Sequence, residues 1–144
     1  MLIFGIDAHK RTHTIVAVDE RGRQVAQRTI KTTTDDHLEL VTWADGLDRD
    51  RLWAIEDCRH LSRRLERDLL GAGERIVRVP TKMMAAARKN GRDYGKSDPI
   101  DALATARAAL AEPNLPVAHL DGPSREVRLL VDHREDLVAE RTRI

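Results

Sequence analysis

Four acidic residues of this 144-residue chain stand where a carboxylate is costly or where it has company: Asp7, Glu56, Asp98 and Asp101. Asp7 ends the apolar run Leu2-Ile3-Phe4-Gly5-Ile6, and Glu56 ends Leu52-Trp53-Ala54-Ile55. Asp98 and Asp101 open a helical pattern three residues apart, which puts both on one face. Carboxylates gathered in one place repel each other unless a cation compensates them, and hard oxygen donors select Mg²⁺ or Mn²⁺. Two such ions ~4 Å apart can hold both the attacking and the leaving oxygen of a phosphoryl transfer. If the four residues converge, the chemistry is metal-assisted cleavage of a phosphodiester.

Each residue taken singly has a blander explanation. Asp7 can be a strand-end turn residue bonded to its own loop. Glu56 can mark where a strand meets solvent, paired with Arg59. Asp98-Pro99 reads as a helix N-cap with proline at the first helical position, and Asp101 then suits the positive end of the helix dipole. Their joint placement on strand ends and one helix start is what favours the site.

The segment before that helix adds to the argument. Lys82, Arg88, Lys89, Arg92 and Lys96 fall within residues 81–96 against one acid, Asp93, a local net charge of +4. Gly91 and Gly95 read as flexible, and Tyr94 offers a ring for base stacking or phosphate bonding. These five, with Lys10 beyond Asp7, are the expected nucleic-acid contacts; a merely solvated loop is the alternative. His9 and His13 are four apart but lie around a strand turn, so a zinc site is not expected. Cys58 has no motif around it, and no Gly-rich GxxxxGK[ST] phosphate loop occurs.

The elements that must position these residues are legible from periodicity. Leu2 to Ile6 reads as a strand buried on both faces. Thr12 to Val18 and Arg23 to Lys31 follow as strands, the turn between them carrying Gly22 where positive φ is needed. Thr34 is the expected cap of a first helix, Asp35 and Asp36 facing its dipole. Arg51 to Glu56 is a fourth strand, and Leu61, Leu65 and Leu69 define a second helix stopped by Gly71 and Gly73. Arg75 to Val79 is a fifth strand ended by Pro80, and a helix runs from about Pro99 to Ala111. The order βββαβαβα argues an α/β mixed sheet with helices on both faces. In such a sheet the first and fourth strands are parallel neighbours, setting Asp7 beside Glu56.

Bulk properties bound the rest. A chain of this length forms one domain and buries roughly 68% of its unfolded surface. With only 3% aromatic residues, the core is expected from Leu, Ile, Val and Ala. A net charge of +1 gives no global attraction for nucleic acid, so local patches must supply it. The single cysteine excludes an internal disulfide. No apolar run approaches the ~20 residues of a membrane span and no basic leader precedes Leu2, so a soluble, cytoplasmic, prokaryotic protein is expected. Asp121-Gly122-Pro123-Ser124 breaks the chain before a charged segment in which Leu130, Leu137 and Ile144 recur every seven residues. That segment stops mid-pattern. The expected division is therefore a catalytic domain over 1–116 and the start of a helical linker over 121–144.

Gly5-Ile6-Asp7-Ala8-His9-Lys10, Ala54-Ile55-Glu56 and Lys96-Ser97-Asp98-Pro99-Ile100-Asp101-Ala102 resemble the three motifs of the DEDD-type insertion-sequence transposases, relatives of the Piv DNA invertases. The spacings of 49, 42 and 3 residues between the acids suit that family. The Val79-Pro80 pair and the Lys-Ser-Asp-x-x-Asp-Ala stretch are the more specific marks. The resemblance covers residues 1–115 and implies a RuvC-like, ribonuclease-H-like domain of five mixed strands. It implies that Asp7, Glu56, Asp98 and Asp101 coordinate Mg²⁺ and that the full protein recombines DNA site-specifically, in some members with an element-encoded guide RNA. It also implies a nucleophilic serine from a C-terminal domain; Ser62, Ser97 and Ser124 match no part of that domain. The C-terminal helix would then carry homo-oligomer contacts.

Three other readings compete. A stand-alone RuvC-like Holliday-junction resolvase or nuclease would need no linker helix. An actin- or hexokinase-like ATPase also begins Gly-Ile-Asp, but His9-Lys10-Arg11 is a poor phosphate loop. A non-catalytic assembly module binding RNA or a second protomer is the third.

Overall fold

Apolar sequence at the N-terminus takes the middle of the sheet, where both faces of a strand are covered. The computed structural model describes residues 1–57, 59–90 and 98–119, with backbone alone at 59, 60, 86–90 and 98. The elements are β1 (Leu2–Ala8), β2 (Thr12–Val18), β3 (Gln24–Lys31), α1 (Thr34–Leu47), β4 (Arg51–Glu56), α2 (Arg59–Gly71), β5 (Ile76–Val79), α3 (Thr81–Asn90) and α4 (Asp98–Ala111). Their strands form one mixed sheet in the order β3-β2-β1-β4-β5. β1, β2 and β3 are an antiparallel meander, while β4 and β5 run parallel to β1. Gly22, in the β2–β3 turn, has φ of 80°, a conformation open to glycine at little cost. The expectations on Cys58, on Arg92, Tyr94 and Lys96, and on the linker at 121–144 lie outside the described residues.

Alternation along β1 divides the core in two. Phe4, Ile6 and Ala8 face α1 and α2 with Ile15, Trp53 and Ile55. Ile3 faces the other way, with Val16, Ala54, Val77 and the alanines of α4. Three of the chain's four aromatic residues meet on the first face: Phe4 stacks on Trp53 at 4.7 Å and meets Trp43 edge-on at 5.7 Å. The core is thus not purely aliphatic; scarce aromatics are concentrated where each ring buries most area.

Two elements differ from the sequence expectation. Residues 81–90 form α3, not a flexible stretch, giving the order βββαβαβαα. The Pro80 carbonyl accepts the Met83 and Met84 amides, and buried Met84 anchors the turn, so good helix formers override the reading from charge. The first helix is capped by Thr33, not Thr34: its hydroxyl accepts the Asp36 amide at 3.1 Å. Pairing also runs past residue 116. Val117 bridges Val77, and the Ala118 amide donates to Ile76, closing the outer edge of β5.

Candidate active site

β1 and β4 deliver the first two carboxylates. The last register pair is Ile6 with Ile55, so Asp7 and Glu56 stand one step further on adjacent parallel strands, ~4.8 Å apart at the backbone. Side chains alternate, and Ile6 and Ile55 belong to the α1/α2 face. Asp7 and Glu56 therefore face the opposite side, the one α4 covers. Both are half-buried.

Close packing sets how α4 meets them. A Cβ added at Gly5 would lie 2.6 Å from the Ala106 nitrogen and 2.8 Å from the Ala106 Cβ, and would collide with the Ala102 carbonyl. Only a residue without Cβ allows this approach, and the helix answers with Ala102, Ala106 and Ala109, all buried. Ala106 and Ala102 lie over Gly5, and Ala109 belongs to the same cluster as Ile3. The helix thus runs opposite to β1, its N-terminus above the carboxylate end. Asp98 precedes Ala102 by about one turn and Asp101 precedes it directly, so both positions belong to the first turn of α4. Within α4 the Thr105 hydroxyl donates to the Asp101 carbonyl at 2.9 Å.

Asp7 has a partner just beyond the end of its strand. His9, two residues on and therefore on the same side, places Nε2 2.8 Å from Asp7 Oδ2. Its ring is nearly half exposed while Asp7 is largely covered, so His9 screens the carboxylate from solvent. This partner was missed by sequence reasoning, which weighed His9 only against His13; the i,i+2 spacing from Asp7 along a strand was the available signal. Among the described residues, no three His, Cys, Asp or Glu side chains close into a metal-holding group. Asp7 and Glu56 are brought together as neighbours, and Asp101 stands on the covering helix. The side chain of Asp98 lies outside the described residues.

Of the expected nucleic-acid contacts, Lys10 is exposed in the β1–β2 turn and Lys82 is exposed in the first turn of α3. Arg88 and Lys89 belong to the last turns of α3. α3 packs on α4, which places this basic helix beside the covering helix and not across the sheet.

On the opposite face, His13 and His37 are buried with rings 5.7 Å apart. His37 Nδ1 lies 2.7 Å from Asp68 Oδ2. Burial raises the Asp68 carboxyl, but the hydrogen bonds from His37 and Thr34 outweigh it and hold the group below its ordinary value. Burial pushes His13 down to about 4, helped by His37 and His9. These histidines join β2, α1 and α2, away from the carboxylates.

Comparison with known proteins gives the same frame. A family model described as Transposase, of the DEDD type of IS110, matches residues 4–144. The chain is 31% identical over 144 residues to the uncharacterized 42 kDa protein of insertion element IS900 from Mycobacterium paratuberculosis, covering 96% of this chain and 36% of that protein. It is 32% identical over 143 residues to the uncharacterized 44.8 kDa protein of insertion element IS116 from Streptomyces clavuligerus, covering 97% and 35%. The chain thus spans about a third of the length of these relatives. Among solved structures it resembles Thermus thermophilus RuvC with a TM-score of 0.62 at 13% identity, covering 82% of this chain and 100% of that one. RuvC of the same organism in complex with Holliday junction substrate superposes at 0.59, covering 82% and 99%. The fold is RuvC-like, of the ribonuclease-H-like class, as the family resemblance implied.

Proposed function

Because the chain belongs to the DEDD transposase family of the IS110 type, we propose that it is the catalytic domain of a DNA-cleaving transposase, acting through Asp7, Glu56, Asp98 and Asp101. The observation that supports this reading is the register of β1 and β4, which makes Asp7 and Glu56 neighbours at the ends of adjacent parallel strands. An all-oxygen donor set with no cysteine among its four members suits Mg²⁺, or Mn²⁺ in its place. When bound, such ions supply Lewis-acid stabilisation to the attacking and leaving oxygens. The chain's own residues do the rest. Asp7 and Glu56 present fixed carboxylates from a buried sheet, and His9 orients Asp7 through its 2.8 Å hydrogen bond. Lys10, Lys82, Arg88, Lys89, Arg92 and Lys96 hold the DNA backbone beside them.

Residues 1–116 are proposed as this catalytic unit and 121–144 as the start of a helical linker that also mediates self-association. The complete enzyme would draw its nucleophilic serine from a C-terminal domain, and in that case the site is composite. A guide RNA is a further proposed partner, by the family resemblance alone. The structural match to the whole length of RuvC favours one second reading, a self-sufficient resolvase or nuclease using water.

One experiment separates the two. Residues 1–144 are incubated with Mg²⁺ or Mn²⁺ and branched, single-stranded and duplex DNA, alone and as part of the chain extended to the length of its relatives. The composite site predicts little or no cutting by residues 1–144, and cutting plus strand transfer by the longer protein, abolished by Glu56→Gln. Robust cleavage by residues 1–144 that Glu56→Gln removes establishes the resolvase reading. Cleavage indifferent to Glu56→Gln in both forms refutes the carboxylate site.

A further inference from the structure

The two edges of the sheet are treated differently. β5 is closed by the 116–118 segment, whereas β3, at the other end of the order, has one strand partner among the described residues. Its two faces also differ. Arg28 and Ile30 turn toward α1, with Arg28 over the Trp43 ring at 5.7 Å and Ile30 buried. Gln27, Thr29 and Lys31 turn the other way, to the side that carries the carboxylates, and all three are exposed. Among the described residues, α4 packs on β1, β2 and β4 on that side, and Gln27, Thr29 and Lys31 of β3 are exposed there.

Register ties this open strip to the candidate site. Asp7 pairs with Thr14 and Thr14 with Thr29, so the three form one row across β1, β2 and β3. Thr29 thus stands two strands, ~10 Å, from Asp7 on the same face. In the next row Thr12 pairs with Lys31, beside the β1–β2 turn where Lys10 and Arg11 are exposed. The strip is free of acids. Residues 21–34 hold four basic residues, Arg21, Arg23, Arg28 and Lys31, and no acidic one. The nearest carboxylate of α1, Asp36, is engaged by the Lys31 backbone amide at 2.8 Å, and Lys31 holds its pKa low alongside that bond.

We infer that the open face of β3, formed by Gln27, Thr29 and Lys31 with Lys10 and Arg11 at its end, is a track for a nucleic-acid backbone leading away from the carboxylate site. An amide, a hydroxyl and an ammonium in line are the donors that phosphate oxygens take, and none of the three outward residues is acidic. An apolar protein partner fits poorly, because the three outward residues are polar. The shared chemistry is the phosphodiester, and a single strand of DNA is the assigned occupant. This rests on the reading of the carboxylates as a DNA-cleaving site and deepens it by naming where the strand lies.

The test is fluorescence anisotropy of the chain with a short labelled single strand, in metal-free buffer across a salt series. A DNA strand and an RNA strand of one sequence are compared. Lys31→Gln is expected to flatten the slope of log K against log salt by ~0.7, the share of one neutralised phosphate on a single strand. Lys31→Arg should restore it. Thr29→Ala should weaken binding about tenfold to a hundredfold, near the worth of a hydrogen bond to a charged group. Arg28→Gln, on the same strand but the α1 face, should leave the slope unchanged. All three positions are on the surface, and melting curves identify any variant that fails to fold. Equal slopes for Lys31→Gln and the parent overturn the track, as does an Arg28→Gln effect as large as that of Lys31→Gln. Stronger binding of RNA, weakened by the same substitutions, reassigns the occupant and overturns the DNA assignment. Loss of cleavage in Glu56→Gln with unchanged binding in the β3 variants refutes the track alone. Cleavage indifferent to Glu56→Gln removes the reading on which it rests.

Discussion

Gly5→Ala tests the close approach on which the geometry depends. The new methyl would lie 2.6 Å from the Ala106 nitrogen and 2.8 Å from its Cβ. Ordinary contact is about 3.5–4.0 Å, so helix and strand must separate by about 1 Å. The obstacles are backbone atoms of α4, which cannot rotate away. Overpacking of this kind costs about 1–3 kcal/mol, offset by about 0.4–1 kcal/mol from the stiffer unfolded chain. A net loss of about 1–2 kcal/mol is expected in urea denaturation with an unchanged m value. Gly46→Ala is the matched control. Nothing lies within 4 Å of a Cβ there, and the residue is inside α1, so the same substitution should stabilise by about 0.5–1 kcal/mol. The functional effect at Gly5 should exceed the stability effect, because α4 carries Asp98 and Asp101. A displacement of ~1 Å at reacting groups costs ~100-fold in rate. Gly5→Ala as stable as the parent would refute the close approach of α4 to β1.

Acid should destabilise the domain through His13. Its folded pKa is about 4 against 6.5 in the unfolded chain, so below pH 6.5 the unfolded state binds the extra proton. Stability is then complete above pH 6.5, falls as pH drops toward 4 by about 3 kcal/mol in all, and loses nothing further from this group below that. Melting curves between pH 7.5 and 4.5 should show the decline, and His13→Leu should flatten it; a decline of equal size in His13→Leu rules this source out. Replacing Arg88, Lys89 and Arg92 together should weaken DNA binding and reduce its salt slope by ~0.7–0.9 for each phosphate that those side chains neutralise. An unchanged slope in that triple variant would mean the basic segment is only solvated.

The succession of strands and helices along the chain was legible because burial writes itself into sequence, as continuous apolar runs in the central strands and as helical spacing between them. The run Leu2 to Ile6 and the stretch Leu52 to Ile55 announce parallel neighbours, and their ends announce Asp7 and Glu56. The start of α4 was legible from Asp98-Pro99. α3 was not, because its charges at Lys82, Arg88 and Lys89 suggested a solvated loop while Met83, Met84 and Ala85 through Ala87 are sound helix formers. The Thr33 cap illustrates a general limit: three consecutive threonines offer the same hydroxyl, and only backbone geometry at the helix start selects one. The importance of Gly5 was hidden for a different reason. A glycine inside an apolar strand carries no sign of its own, and only the position of Ala102 and Ala106 explains why a side chain is forbidden there. The strip on β3 was hidden because alternation splits Arg28 from Thr29 and Lys31, a distinction invisible to a count of charge along the chain.

The division of labour between the two faces explains why the site lies where it does. The α1/α2 face holds the molecule's specific locks: the stacked Phe4 and Trp53, the His37–Asp68 pair, and Glu66 between Arg78 at 2.7 Å and Ser62 at 2.7 Å. Each fixes a helix or strand by directional contacts that tolerate little rearrangement. The α4 face is built instead from glycine and alanine against Ile3, Val16 and Ala54. Small residues let α4 lie low on the sheet, so carboxylates from two strands and one helix end can share an edge. That closeness is unfavourable for like charges, and it is sustained because the opposite face already holds β1 and β4 in register. The α1/α2 face fixes the strands by directional contacts, and the small residues of the α4 face bring that helix down onto them.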